Sequence, residues 1–178
     1  MLARLFSSLR LLRRSLLLVA VVSFVIAARA FAAEPASGAR LSIPSIDLDA
    51  PIVSIYLSES IGTWDTSQLG DLIGHFQYTP WVTERGNVVL GGHSTDTEGA
   101  PSIFYNLEDV TIGDSVTVQE GSATFEYVVT GIRYVEISDL TVLYPTRQDT
   151  ITLITCAGFN SDTEVYEQRL VVTARRAD

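Results

Sequence analysis

The chain has 178 residues, a formal net charge of −9 and a single cysteine. The acidic balance excludes nucleic-acid recognition by counterion release, which needs Lys and Arg clustered along one face, and a lone cysteine excludes an internal disulfide. Roughly 140 residues beyond an apolar N-terminal segment leave room for one domain with one core.

Arg4, Arg10, Arg13 and Arg14 precede the apolar run 16–28, a basic region followed by a hydrophobic one that addresses the chain to a membrane. Two outcomes are open for this segment, residues 1–33. Ala30-Phe31-Ala32 fits a small-x-small cleavage site and the uninterrupted run has signal-peptide length. Extension through Ala33 instead reaches spanning length with only Arg29 intervening, an arginine that can snorkel to the interface, and the arginines ahead of it would hold the N-terminus in the cytoplasm. Either way the domain lies outside the cytoplasmic membrane. Residues 34–39, Glu-Pro-Ala-Ser-Gly-Ala, read as a linker, and residues 40–178 as one domain.

That domain reads as short β-strands. The stretches 88–91, 115–119, 124–130, 150–155 and 170–174 are rich in β-branched residues and bounded by Gly, Asp or Asn turns, with Gly121-Ser122 predicting a hairpin. Helical signals are sparse: 65–69 has a capping Asp, and 101–107 opens on Pro. The pattern predicts an all-β fold of seven or eight strands closed into a barrel, with one or two short helices.

The chemistry centres on Cys156, which ends the run Ile151-Thr152-Leu153-Ile154-Thr155. It is read as a partner in an intermolecular disulfide, as a buried structural thiol or as a nucleophile. A nucleophilic cysteine acts as thiolate, and a free thiol is only a few per cent ionised at neutral pH, so it needs a proton-transfer partner and an oxyanion donor. There are two histidines to choose from. His93 follows Gly91-Gly92 at the end of the 88–91 strand, a loop position where rigid strands present catalytic groups. His75 lies beside Tyr78, Pro80 and Trp81 with no clear strand before it, and reads as structural or substrate-proximal. Arg169 heads the last strand and offers a permanently charged fork of donors suited to an oxyanion or a carbonyl.

A His after Gly-Gly at the end of a Val-Val-Leu strand, a Thr-Leu-Ile-Thr-Cys run, and an Arg heading the last strand together resemble the sortases, cysteine transpeptidases of the bacterial cell envelope. Leu41-Ser42-Ile43-Pro44 through Pro51-Ile52-Val53 is similar to the family's opening strands, and Phe104-Tyr105-Asn106-Leu107 through Gly113-Asp114-Ser115-Val116-Thr117-Val118 to its mid-domain helix, Gly-Asp turn and strand. The likeness runs from about Arg40 to Arg175. The spacing from Cys156 through Phe159-Asn160 to Arg169 resembles class A members, whereas Gly-Gly-His-Ser and the short loops resemble compact members of other classes, so the class stays open.

The resemblance implies the same barrel and a definite reaction. Cys156 is expected to attack a threonine carbonyl in a Leu-Pro-x-Thr-Gly-like sorting signal, and the thioacyl enzyme to pass its acyl group to an amine of a cell-wall precursor or a pilin. His93 then serves as general acid and base, Arg169 as oxyanion or carbonyl donor, and Thr155 as support for that hole. It also favours retention of residues 1–33 as a single-pass anchor, with a cleaved, secreted form as the alternative. No cofactor is expected. Calcium, used by some class A members, is an alternative that finds no ordered ligand spacing in Asp96, Glu98, Glu108, Asp109, Asp114 and Glu120. An L,D-transpeptidase would carry a His close upstream of the cysteine, and a papain-like peptidase would place Cys before His; neither fits. A non-catalytic exported barrel with Cys156 packed in its core is the reading from a different class.

Overall fold

A computed structural model describes residues 38–177; the 1–33 segment and most of the 34–39 linker lie outside that range. The strands are β1 (Arg40–Ile43), β2 (Leu48–Ile55), β3 (Leu57–Ser58), β4 (Thr63–Trp64), β5 (Ile73–Phe76), β6 (Asn87–Gly91), β7 (Ser115–Glu120), β8 (Ala123–Glu136), β9 (Thr150–Asn160) and β10 (Val165–Arg176). Eight of them close into a barrel in the order β1-β2-β5-β6-β9-β10-β8-β7, with β3 and β4 forming a separate ribbon. The β2–β5 and β6–β9 pairs are parallel, and the other barrel pairs antiparallel. The eight-stranded closed barrel agrees with the all-β fold that the sequence predicts.

Alternation explains the interior. Leu41 and Ile43, Val88 and Leu90, Val116 and Val118, Tyr127 and Val129, Ile151 and Leu153, and Leu170, Val172 and Ala174 all point into one buried cluster, the period-2 face expected of strands. Burying each larger side chain stabilises the fold by roughly 1.5–3 kcal/mol. The outer face of β8, β9 and β10 is covered as well. Val135 and Val171 there pack with Val142 against Ile154 and Leu143, under the 3-10 turn Leu140–Leu143. Strand β9 is thus flanked by apolar groups on both faces, which is why its sequence reads as a continuous run instead of an alternating one.

Several elements differ from the sequence expectation. β8 extends to Glu136 and β9 to Asn160, because β10 pairs with both along nearly its whole length. Residues 65–69 form turns and no helix: the Asp65 carboxylate accepts from the Ser67 amide at 3.0 Å, and Gly70 takes a positive φ of 52° that ends the segment. In 101–107 the 3-10 turn starts late, at Tyr105–Asp109. The amides of Ser102 and Phe104 donate instead to the carbonyls of Ser94 and His93. His75 proves to lie within a strand, β5, that its sequence does not advertise. The Gly121-Ser122 hairpin forms as expected, with Glu120 opposite Ala123.

Candidate active site

Strand β9 carries Cys156 directly opposite Arg169 on β10, a cross-strand pair whose side chains leave the same face about 4.5–5.5 Å apart at Cα. On its other side β9 runs parallel to β6, and the Gly92 amide donates to the Ile154 carbonyl at 3.2 Å. The Thr155 hydroxyl donates to the Gly92 carbonyl at 2.9 Å. Two hydrogen bonds therefore tie the residue before His93 to the two residues before Cys156. The Phe104 amide, donating to the His93 carbonyl at 2.9 Å, fixes the loop from the opposite side.

The two glycines are required by close approach. A Cβ at Gly91 would stand 2.7 Å from the Phe76 ring, and one at Gly92 would stand 2.7 Å from the Phe104 ring and 2.9 Å from Ile103. The chain must pass between these side chains to deliver His93. The imidazole Nε2 lies 3.4 Å from the Thr66 carbonyl, a long contact that leaves the ring free for other partners.

His93, Cys156, Arg169 and Thr155 all line one cleft of about 350 Å³. Its walls are largely apolar: Trp64, Leu69 and Phe76 on one side, and Val142, Leu143 and Ile154 on the other. The second wall is held by Asn87, which is 2 % exposed. Its amide donates to the carbonyls of Val142 at 2.9 Å and Tyr144 at 3.1 Å, and its carbonyl accepts from the Thr152 hydroxyl at 2.7 Å. Arg169 donates to the Gln168 carbonyl at 3.0 Å and, among the described residues, has no carboxylate within ion-pairing distance. Its remaining N–H groups are available to a ligand. Cys156 is half-buried and free.

His75 is placed elsewhere. Its Nε2–H donates to the Pro80 carbonyl at 3.0 Å and lies 3.1 Å from the Thr79 hydroxyl, and the ring stands edge-on to Trp81 at 4.9 Å. Burial holds its pKa below the usual imidazole value of 6.5, against the opposing effect of the Pro80 hydrogen bond. Sequence reasoning missed the cleft walls, above all Trp64, Phe76 and the 140–143 turn; Asp139 before Thr141, a capping pair in the structure, is the one local signal for that turn. Among the described residues no group of three acidic, His or Cys side chains could hold a metal ion, and no helix is long and apolar enough to cross a membrane.

A closed mixed barrel with a thiol, an imidazole and a guanidinium on one cleft defines a cysteine-centred class of barrel proteins, and comparison with known proteins gives the family. The sortase domain model matches residues 41–177, and the chain belongs to the sortase family. It is 26 % identical over 128 residues to sortase A of Bacillus anthracis, covering 71 % of this chain and 55 % of that protein. A lid mutant of sortase A from Corynebacterium diphtheriae superposes with a TM-score of 0.66 at 33 % identity, covering 83 % of this chain and 73 % of the other. Sortase C-1 from Actinomyces oris gives 0.66 at 30 %, covering 82 % and 76 %. The chain spans about half the length of the curated relatives it matches.

Proposed function

We propose that the chain is a cysteine transpeptidase that cleaves a C-terminal Leu-Pro-x-Thr-Gly-like sorting signal and transfers the protein to an amine of the cell wall or of a pilin. The observation that carries this reading is the convergence of His93, Cys156 and Arg169, from distant parts of the sequence, on one apolar cleft. Such walls suit the Leu and Pro side chains of the signal.

In this reading Cys156 Sγ attacks the threonine carbonyl, and Arg169 donates to the developing oxyanion. His93 protonates the departing amine and later accepts a proton from the incoming one, a role that needs its ring within hydrogen-bond reach of the reacting nitrogen. Thr155, its hydroxyl bound to the Gly92 carbonyl, supports the hole by keeping the His93 loop against β9. Residues 1–33 anchor the protein as a single pass, with the barrel outside the cytoplasmic membrane; that segment's basic and apolar sequence supports the assignment.

Incubating the purified chain with a peptide library and several amines, and reading the products by mass, tests the proposal. The expected result is cleavage before a small residue with amide formation to the amine. Quick, single-site thiol labelling that is abolished in Cys156→Ala supports the enzyme, whereas an inert thiol without any peptide turnover would instead favour a non-catalytic barrel.

A further inference from the structure

An open groove of about 700 Å³ shares no lining residue with the peptide cleft. Thr173 and Arg175 line it and alternate along β10 with the core-facing Val172 and Ala174, which places the groove on the outer face of the barrel. Arg133, on β8, and Arg147, on the segment entering β9, line it too, and no aspartate or glutamate does. The three arginines stand 14 and 28 residues apart in the chain, so only the fold gathers them.

In a chain of net charge −9, these cations are left almost without internal partners. Among the described residues Arg147 and Arg175 have no carboxylate within ion-pairing distance, and Arg133 stands 4.0 Å from Asp139. The carboxylates nearby are committed elsewhere. Asp139 accepts from the Thr141 amide at 2.9 Å, and Asp149, between the lining residues Gln148 and Thr150, accepts from the Gly86 amide at 3.2 Å and faces Arg85 at 3.7 Å. Uncompensated guanidiniums on one groove repel one another, and an anion among them removes that repulsion.

We propose that this groove binds a linear polyanion, phosphodiesters joined by a short polyol and bearing no bases. Planar guanidinium forks match phosphate oxygens two at a time. A free phosphate, the size of a few water molecules at about 30 Å³ each, would leave most of the groove empty. Arg133 lies opposite Val171, four residues along β10 from Arg175, so their side chains leave the sheet about 13 Å apart at roughly 3.3 Å per residue. That separation suits successive phosphates better than one. The rest of the lining excludes rival polyanions. No aromatic ring is present to stack a nucleobase. Ile132 is the one large aliphatic side chain, too little to seat the apolar anchors of a peptide or to enter a membrane interface. Threonines and Gln148 supply most of the remainder and suit a hydroxyl-bearing spacer. The site is independent of the transpeptidase reading.

The full chain in neutral detergent, with no sorting peptide present, is titrated against end-labelled poly(glycerol phosphate) and binding is read by fluorescence anisotropy. Saturable binding is expected, its log affinity falling with log salt at a slope of roughly −2 for three neutralised phosphates. Arg133→Gln, Arg147→Gln and Arg175→Gln should each weaken it about fivefold and flatten the slope by about 0.7. All three positions are exposed, so the variants should melt as wild type does. Arg40→Gln removes the same charge outside the groove, where Arg40 pairs with Asp49 at 2.8 Å, and should change neither affinity nor slope. No binding at low salt, binding that survives the triple variant, or an equal loss in Arg40→Gln overturns the inference. Competition at equal phosphorus separates the sources of phosphate. Inorganic phosphate and dihexanoyl phosphatidylglycerol should each displace the labelled polymer at least about tenfold less well than unlabelled polymer, because they lack linked charges. Equal displacement by either one would assign the groove to a free anion or a lipid headgroup and overturn the polymer.

Discussion

His75 and His93 both follow a glycine, and both sit on or just past neighbouring strands of one barrel, yet their surroundings put them to opposite uses. The His75 ring is wedged edge-on against Trp81 with Nε2 committed to the Pro80 carbonyl. His93 is tethered through its backbone, by Phe104 and the adjoining Gly92, while its ring makes one long contact and faces the cleft. The difference teaches that the histidine proposed for catalysis has a fixed main chain and an uncommitted ring, and the other a committed ring.

On the proposed mechanism the comparison breaks most severely at Cys156, the thiol that shares its cleft with His93 and not with His75. Cys156→Ser should retain the fold and lose turnover to below a tenth of wild type, since a serine hydroxyl with no strong base nearby is far less ionised than a thiol; peptide cleavage rates alongside thermal denaturation check this. Next comes the pair of histidines itself. His93→Ala should lower transpeptidation by about 10²–10⁴-fold, the usual contribution of a general acid–base group. His75→Ala should act through stability, and a reversed ranking of the two rates would exchange their roles.

Arg169→Lys sharpens the account from the strand opposite. A planar fork that holds an oxyanion or carbonyl is not reproduced by an ammonium, so acyl-enzyme formation should fall by about a hundredfold; near-wild-type acylation would remove Arg169 from the site. A smaller effect is expected at Asn87→Ala, which frees the carbonyls of Val142 and Tyr144 and the Thr152 hydroxyl. The loss is about 1–3 kcal/mol of stability, with a rise in KM for peptide as the cleft wall loosens, read by denaturant titration and steady-state kinetics.

The smallest effect is a pH dependence confined to His75. Its folded-state pKa is depressed below 6.5 by burial, so the unfolded chain binds the proton more readily. Stability from this group is fully present above about pH 6.5 and is lost as pH falls from there through the folded pKa. His75→Gln, keeping a donor toward Pro80, should flatten the decline in Tm between pH 7 and pH 5.5. An equal decline in both proteins would assign it to other groups.

What the sequence made legible was set by local pattern. The Val88–Gly91 and Thr150–Thr155 runs announce the strands, and Gly-Gly-His and Ile-Thr-Cys mark their ends, because close backbone approach and period-2 burial leave traces in adjacent residues. β5 left none: it has four residues, Ile-Gly-His-Phe, and is held by pairing with β2 and β6. The cleft wall at 140–143 left only the Asp139–Thr141 cap as a local trace, since its anchor, Asn87, lies 55 residues away from Val142. Likewise Arg133, Arg147 and Arg175 stand far apart in the chain, and only the fold brings them to one groove.

The central claim, that the cleft presents Cys156 as an acyl carrier served by His93, is tested most directly by trapping the intermediate. The chain is mixed with sorting-signal peptides without an amine, quenched in acid, digested, and each fragment weighed. The account predicts a single peptide-derived acyl group on the fragment containing Cys156, absent in Cys156→Ala and markedly slower to form in His93→Ala. Peptide cleavage that persists in Cys156→Ala, or an acyl group found on any other residue, would contradict it.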